Sequence, residues 1–243
     1  MEVVNERRMK PLNLLEYIHT LEDNRFDLVY PPEIRAASDR HWTPVIVARR
    51  AAEFLVREPG TRVLDIGCGP GKFCIVGALM TEGRFTGVEQ RHHLCEVARS
   101  VIGQAKLPNA EIIHGNVTEI AFSNFDAFYL FNPFEENLET TLKIDATVHL
   151  CGDLYEKYTE HVARQLALAP LGTRLVTYCG SCEEVPLGYE CLNSSLDYGL
   201  KFWEKTNNHP VRASSPVATA TNNKWRIMSE AVRAIGLTDS FFV

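Results

Sequence analysis

Nowhere in the 243 residues is there an apolar run approaching the roughly 20 needed to cross a bilayer, and the N-terminus MEVVNERRMK lacks the apolar core of a signal peptide. A membrane span is therefore not expected, and the expected location is cytoplasmic. Positive charge is also in short supply. The 25 Lys and Arg are outnumbered by 31 Asp and Glu, for a net charge of −6. Arg7-Arg8-Lys10 and Arg49-Arg50 are short enough to be solvated helix faces, which argues against a protein that grips duplex nucleic acid through its phosphates. Seven cysteines, an odd number without an export signal, do not form a disulfide framework. The Cys179-Gly180-Ser181-Cys182 pair has no matching second pair; His149 and Cys151 would have to complete a zinc site, so no metal is expected. Neither an internal repeat nor a long low-complexity segment is present.

What the chain does have is Val63-Leu64-Asp65-Ile66-Gly67-Cys68-Gly69-Pro70-Gly71-Lys72-Phe73. Val63, Leu64 and Ile66 suit a buried parallel strand, and Gly67, Gly69 and Gly71 let the backbone turn sharply and approach a ligand. Two other ligand classes use such strand-to-helix loops, and a plain tight turn is the bland alternative. A dinucleotide fingerprint wants a final glycine where Lys72 stands. A phosphate loop wants a hydroxyl after the lysine, where Phe73 stands, and a first glycine where Ile66 stands. Both are weakened, and a nicotinamide oxidoreductase becomes the lesser alternative.

Two further strand ends carry polar residues. Phe85-Thr86-Gly87-Val88-Glu89 places a carboxylate one βαβ unit after Asp65, where it can accept both hydroxyls of a ribose. A third strand, Ala110 to His114, runs into Gly115-Asn116-Val117; Asn116 equally suits a turn. A fourth, Phe125 to Phe131, ends in Asn132-Pro133-Phe134. An asparagine carbonyl together with the next backbone carbonyl can accept two N–H bonds of an amine, and Phe134 can stack on a planar group; the competing reading is a simple Asn-Pro turn.

The order of these parts over Trp42 to Lys205 resembles the class I S-adenosylmethionine (SAM) methyltransferases, in particular a bacterial methyltransferase-like group of unassigned substrate. Asn132-Pro133-Phe134 is similar to the [DNS]-P-P-[YF] motif of amino-group methyltransferases, with the second proline missing. The resemblance implies SAM as cofactor. It places Asp65 and Gly67, Gly69 and Gly71 at its amino-acid portion, Glu89 on ribose, Gln90 and Asn116 at adenine, the Val117 amide beside them, and Asn132, Pro133 and Phe134 beside the methyl. Trp42 and Thr43 are secondary candidates reaching over the cofactor or acceptor. Lys72 either meets the SAM carboxylate or is solvated. The acceptor is unidentified, a small molecule or protein side chain rather than duplex nucleic acid. A SAM-binding interaction protein without turnover is the other alternative.

The implied fold is α/β: a doubly wound, Rossmann-like, mostly parallel seven-stranded sheet closed by an antiparallel hairpin, with N-terminal helices and a C-terminal helical tail. The expected divisions are 1–58, a helical cap; 59–206, the SAM-binding core; and 207–243, an extension. Helices are expected at Pro11 to Asp23, Thr43 to Arg57 with Thr43 as N-cap, Lys72 to Met80, Leu94 to Ile102, Leu154 to Leu168 with Asp153 as N-cap, and Trp225 to Ile235. Residues 135–150 read as a lid or insertion. Gly188 to Ser194 and Leu200 to Lys205 read as the hairpin.

Overall fold

A computed structural model describes residues 22–138, 142–196 and 199–209. The expected helices at Pro11 to Asp23 and Trp225 to Ile235 lie outside them, apart from the end of the first. The chain enters through three one-turn helices, α1 (Asp23–Phe26), α2 (Pro32–Arg35) and α3 (Ser38–His41). Tyr30 and Pro31 are extended between the first two, as the paired prolines require. Then come α4 (Val45–Leu55), β1 (Arg62–Ile66), α5 (Lys72–Met80), β2 (Arg84–Glu89), α6 (His92–Ala105), β3 (Ala110–His114), β4 (Ala127–Phe131), α7 (Gly152–Leu168), β5 (Arg174–Tyr178), β6 (Tyr189–Ser195) and β7 (Leu200–Lys205).

The seven strands form one sheet in the order β3-β2-β1-β4-β5-β7-β6. β1 to β5 pair in parallel, and the β6–β7 hairpin adds antiparallel to β5. Alternate side chains of the buried strands supply two cores. Val63, Phe85, Ala127, Tyr129 and Val176 pack with α4, α5 and α6, together with Phe26, Tyr30, Ile34 and Trp42 from the entry helices. Leu64, Ile66, Val88, Phe128, Leu130 and Leu175 pack with Tyr158, Val162 and Leu166 of α7. Both faces are covered, which is why β1 and β4 read as near-continuous apolar runs.

The chain winds outward from β1 through β2 to β3, then returns to the other side of β1 at β4. This reversal leaves a crevice at the carboxyl ends of β1 and β4, where ligands of open α/β sheets bind.

Two caps differ from expectation. Thr43 does not cap α4: its Oγ1 lies 3.1 Å from Tyr129 Oη, and Asp23 Oδ1 accepts from the Val45 amide at 2.9 Å instead. A carboxylate from 22 residues upstream satisfies the exposed helix donor, freeing the hydroxyl for a buried tyrosine. Likewise α7 begins at Gly152 with Cys151 at the cap, so Asp153 stands in the first turn, favourably placed against the helix dipole. At the other end of α7, the Lys205 ammonium donates to the carbonyls of Ala167 and Ala169, both at 2.6 Å, closing the helix onto β7.

Candidate functional site

The crevice is built first by the glycine loop. Gly67, Gly69 and Gly71 all have left-handed φ, at 73°, 54° and 78°, which other residues adopt only at a cost. The amides of Gly67 and Cys68 are spent on the Val88 carbonyl, at 3.0 and 3.1 Å, pinning the loop to β2. The Gly69 amide donates to Glu89 Oε2 at 3.0 Å. Asp65 lies beneath the loop, 3% exposed, with the Cys74 thiol 3.6 Å from its Oδ2. Burial pushes its carboxyl up to about 8; the Cys74 contact opposes this and the charge of Glu89 adds to it.

Glu89 is buried at the end of β2, its Oε1 accepting from the Arg91 amide at 2.8 Å. Burial raises its pKa, opposed by the Arg91 amide, the Arg91 guanidinium and the Gly69 amide. Each carboxylate oxygen keeps a lone pair beyond these bonds, the capacity two ribose hydroxyls require. The Arg91 guanidinium, itself buried, reaches Glu136 Oε2 and Asp145 Oδ1, both at 3.1 Å. The Ile144 amide donates to Glu136 Oε1 at 2.6 Å. Arg91 thus ties the end of β2 to the segment before α7. Nothing in the local sequence around Arg91 signals this network, because its partners come from the later segment between β4 and α7.

Gln90 and Asn116 stand side by side. Asn116 Nδ2 donates to Gln90 Oε1 at 3.3 Å and to the Tyr158 hydroxyl at 2.8 Å, while its Oδ1 accepts from the Thr118 amide at 3.0 Å. Asn116 is therefore a turn cap, as the alternative reading of its sequence had it. Val117 follows it, its side chain buried in the α7 core. His114 Nε2 lies 3.1 Å from the Gln90 carbonyl, and its ring meets His92 edge-on.

Across the crevice, Asn132 has a left-handed φ of 42°, in the region where Asn is tolerated best among residues with a Cβ. Its Oδ1 is buried and has no hydrogen-bond partner among the described residues. Pro133 abuts the glycine loop so closely that a Cβ at Gly67 would stand 3.0 Å from Pro133 Cβ. Phe134, expected to stack on a planar substrate, is instead buried in the core, its ring 5.5 Å from that of Tyr158. The apolar ring seals the loop end to α7.

Lys72 is neither solvated nor turned toward a cofactor carboxylate. It is 2% exposed, and its ammonium lies 2.6 Å from Asp23 Oδ1 and 2.7 Å from Asp27 Oδ1, with the Phe26 ring 5.5 Å away. The entry helices are clamped to α5 by this contact, and Ser38 completes it by donating to Asp27. Trp42, a secondary candidate, covers Gly69. Cys179 and Cys182 both have left-handed φ, 57° and 61°. Among the described residues no three His, Cys, Asp or Glu are placed to hold a metal ion.

The residues present fit SAM on three counts: three glycines of left-handed φ in the loop after β1, a buried glutamate with lone pairs to spare at the end of β2, and a buried side-chain carbonyl at the end of β4 that has no hydrogen-bond partner among the described residues. Among the described residues, no helix is long and apolar enough to cross a membrane.

Demethylmenaquinone methyltransferase of Listeria welshimeri is 37% identical over 73 residues, covering 28% of this chain and 31% of that protein. The Bacillus cereus protein of the same name is 28% identical over 69 residues, covering 28% of this chain and 29% of its own. The chain thus spans less than a third of the curated relatives it matches. Among solved structures, an RNA methyltransferase from Salinibacter ruber bound to S-adenosylhomocysteine has a TM-score of 0.47 at 19% identity, covering 71% of this chain and 99% of that one. An O-methyltransferase from Thermotoga maritima has a TM-score of 0.47 at 17% identity, covering 74% of each chain. A family described as a methyltransferase domain matches residues 57–225. With most of its length inside that match, the chain belongs to the class I SAM-dependent methyltransferases.

Proposed function

We propose that this protein transfers a methyl group from SAM to an amine nitrogen of its acceptor. The observation that carries the reading is the Asn132 carbonyl, buried, unpartnered and held in a left-handed turn against the glycine loop. Leaving such an acceptor unsatisfied costs roughly 1–3 kcal/mol, which an incoming N–H donor would recover.

Gly67, Gly69 and Gly71 would receive the amino-acid portion of the cofactor, Glu89 its ribose hydroxyls, and Gln90 and Asn116 its adenine edge. When bound, SAM supplies an electrophilic methyl whose bond to sulfur breaks as the nitrogen lone pair forms the new bond, the electron pair staying on sulfur. Asn132 would accept an N–H of the amine and so aim its lone pair at the methyl. Pro133 fixes that asparagine against the loop, and Trp42 covers Gly69 so that water is kept from the reacting atoms. No covalent bond to the protein is required.

The relatives named for demethylmenaquinone match only 28% of this chain, so their acceptor serves as a competing reading. The test is turnover with methyl-labelled SAM on separate panels of amines, alcohols and demethylmenaquinone, with mass spectrometry to locate the label. Label on nitrogen supports the reading. Label only on the quinone ring would replace it.

A further inference from the structure

The Cys179-Gly180-Ser181-Cys182 motif follows β5, and two strands build its surroundings. Thr177 on β5 stands opposite Lys201 on β7 in the sheet register. Both side chains reach Cys182: the Lys201 ammonium donates to its Sγ at 3.3 Å, and Thr177 Oγ1 lies 3.4 Å from it. Thr177 Oγ1 in turn accepts from Trp203 Nε1 at 3.0 Å, which leaves the threonine hydroxyl proton for the sulfur. The Cys182 sulfur therefore faces two donors, one of them a cation.

Lys201 differs in this from the other cations of the fold. Lys72 meets Asp23 and Asp27, Arg91 meets Glu136 and Asp145, and Arg174 meets Glu204. Half-buried Lys201 has no carboxylate partner among the described residues, and the Cys182 sulfur stands where an anion would. A cation beside a cysteine favours the thiolate, the form that attacks electrophiles. The backbone is bent to allow the contact, with φ of 57° at Cys179 and 61° at Cys182, a region that strains any residue with a Cβ. Cys182 is half-buried and Cys179 exposed. Cys182 Sγ lies 3.9 Å from the Gly180 carbonyl, so the turn folds back toward Cys179. Gly180 itself lies against Asn132, since a Cβ there would stand 2.3 Å from Asn132 Oδ1.

We propose that Cys182 is a site of reversible oxidation by a peroxide, with Cys179 as its resolving thiol. The Cys182 sulfur attacks one oxygen of hydrogen peroxide. The S–O bond forms as the O–O bond breaks, and the departing hydroxide leaves as water with the proton of the Cys182 thiol. The Cys179 sulfur then attacks that of Cys182, the S–S bond forming as the S–O bond breaks, and a second water leaves with the Cys179 proton. Two thiols are oxidised to one disulfide, and one peroxide is reduced to two waters. Ring closure draws the two cysteines together around Gly180. Because that glycine has no space on its Asn132 side, the turn at the end of β4 moves with it. The oxidation does not depend on which acceptor the protein methylates.

The test compares Cys182 with Cys191, an exposed cysteine on β6 that no lysine or arginine contacts among the described residues. The full chain is treated with limiting iodoacetamide, or with hydrogen peroxide, and its peptides are followed by mass spectrometry. Cys182 should be alkylated at least about tenfold faster than Cys191 although it is less exposed, and Lys201→Met should remove at least about tenfold of that rate. Buried Cys74 should stay unlabelled in the variant, which shows that it is folded. Peroxide should give a Cys179–Cys182 disulfide that dithiothreitol reverses, and Cys179→Ser should leave a sulfenic acid at Cys182 that dimedone traps. Amide exchange of the peptide spanning Asn132 should change at least about twofold on oxidation and return on reduction. Alkylation of Cys182 no faster than of Cys191, a rate indifferent to Lys201→Met, or peroxide treatment that yields no Cys179–Cys182 disulfide would overturn the inference. Unchanged exchange at Asn132 in the disulfide form would overturn the coupling to the end of β4.

Discussion

The indole of Trp42 closes over Gly69: a Cβ on that glycine would stand 2.7 Å from Trp42 Cζ3, while Trp42 Nε1 is anchored to the Ile34 carbonyl at 2.7 Å. A residue before β1 and a glycine after it thus form one wall of the cofactor crevice. The indole cannot retreat without losing a buried hydrogen bond.

Gly69→Ala should therefore be costly twice over, through a left-handed φ and through contact with the ring. The backbone penalty is about 1–2 kcal/mol and overpacking adds about 1–3 kcal/mol. S-adenosylhomocysteine affinity should fall at least about tenfold and thermal stability should drop. Calorimetric titration and thermal denaturation of the variant measure both, and unchanged affinity would remove the loop from the cofactor site.

Lys72 offers a separate prediction about the entry helices. Lys72→Met leaves Asp27 buried without its cation and should destabilise the protein by about 3–5 kcal/mol in urea unfolding. Arg62→Ala breaks a pair with Asp126 whose side chains are both about half exposed, 48% and 45%, and should cost about 1 kcal/mol or less. Equal losses in the two variants would contradict the buried clamp.

Asp65 makes stability depend on pH. Its ordinary value of 3.8 is raised to about 8 in the folded chain, chiefly by burial. The folded state therefore holds a proton that the unfolded state has released between those values. Its contribution is full below the unfolded pKa, diminishes as pH rises, and is lost once pH passes about 8. Asp65→Asn cannot ionise, so its melting temperature should gain on the parent between pH 5 and pH 8. A constant difference across that range would show that Asp65 is not held protonated.

Much of the fold was legible because its signals are local. Strand and helix alternation, the three glycines and the acids at the ends of β1 and β2 all lie within single βαβ units, and α5, β3 and β7 begin and end where the residue pattern placed them. What the sequence hid depends on distant pairings. The carboxylate that caps α4 is Asp23, not the adjacent Thr43; the partners of Lys72 stand 45 and more residues away; Arg91 gathers acids from the later segment between β4 and α7. Phe134 read as a free ring because its motif is written for an exposed aromatic, whereas here α7 folds over it.

The account stands most directly on Asn132. Asn132→Ala should be measured for S-adenosylhomocysteine affinity and for label transfer from methyl-labelled SAM to the acceptor amine. The expected result is cofactor binding within about twofold of the parent and kcat lower by about 100-fold, the cost of a lost hydrogen bond and lost orientation. Turnover equal to the parent's would contradict the assignment of the Asn132 carbonyl as the group that aims the amine.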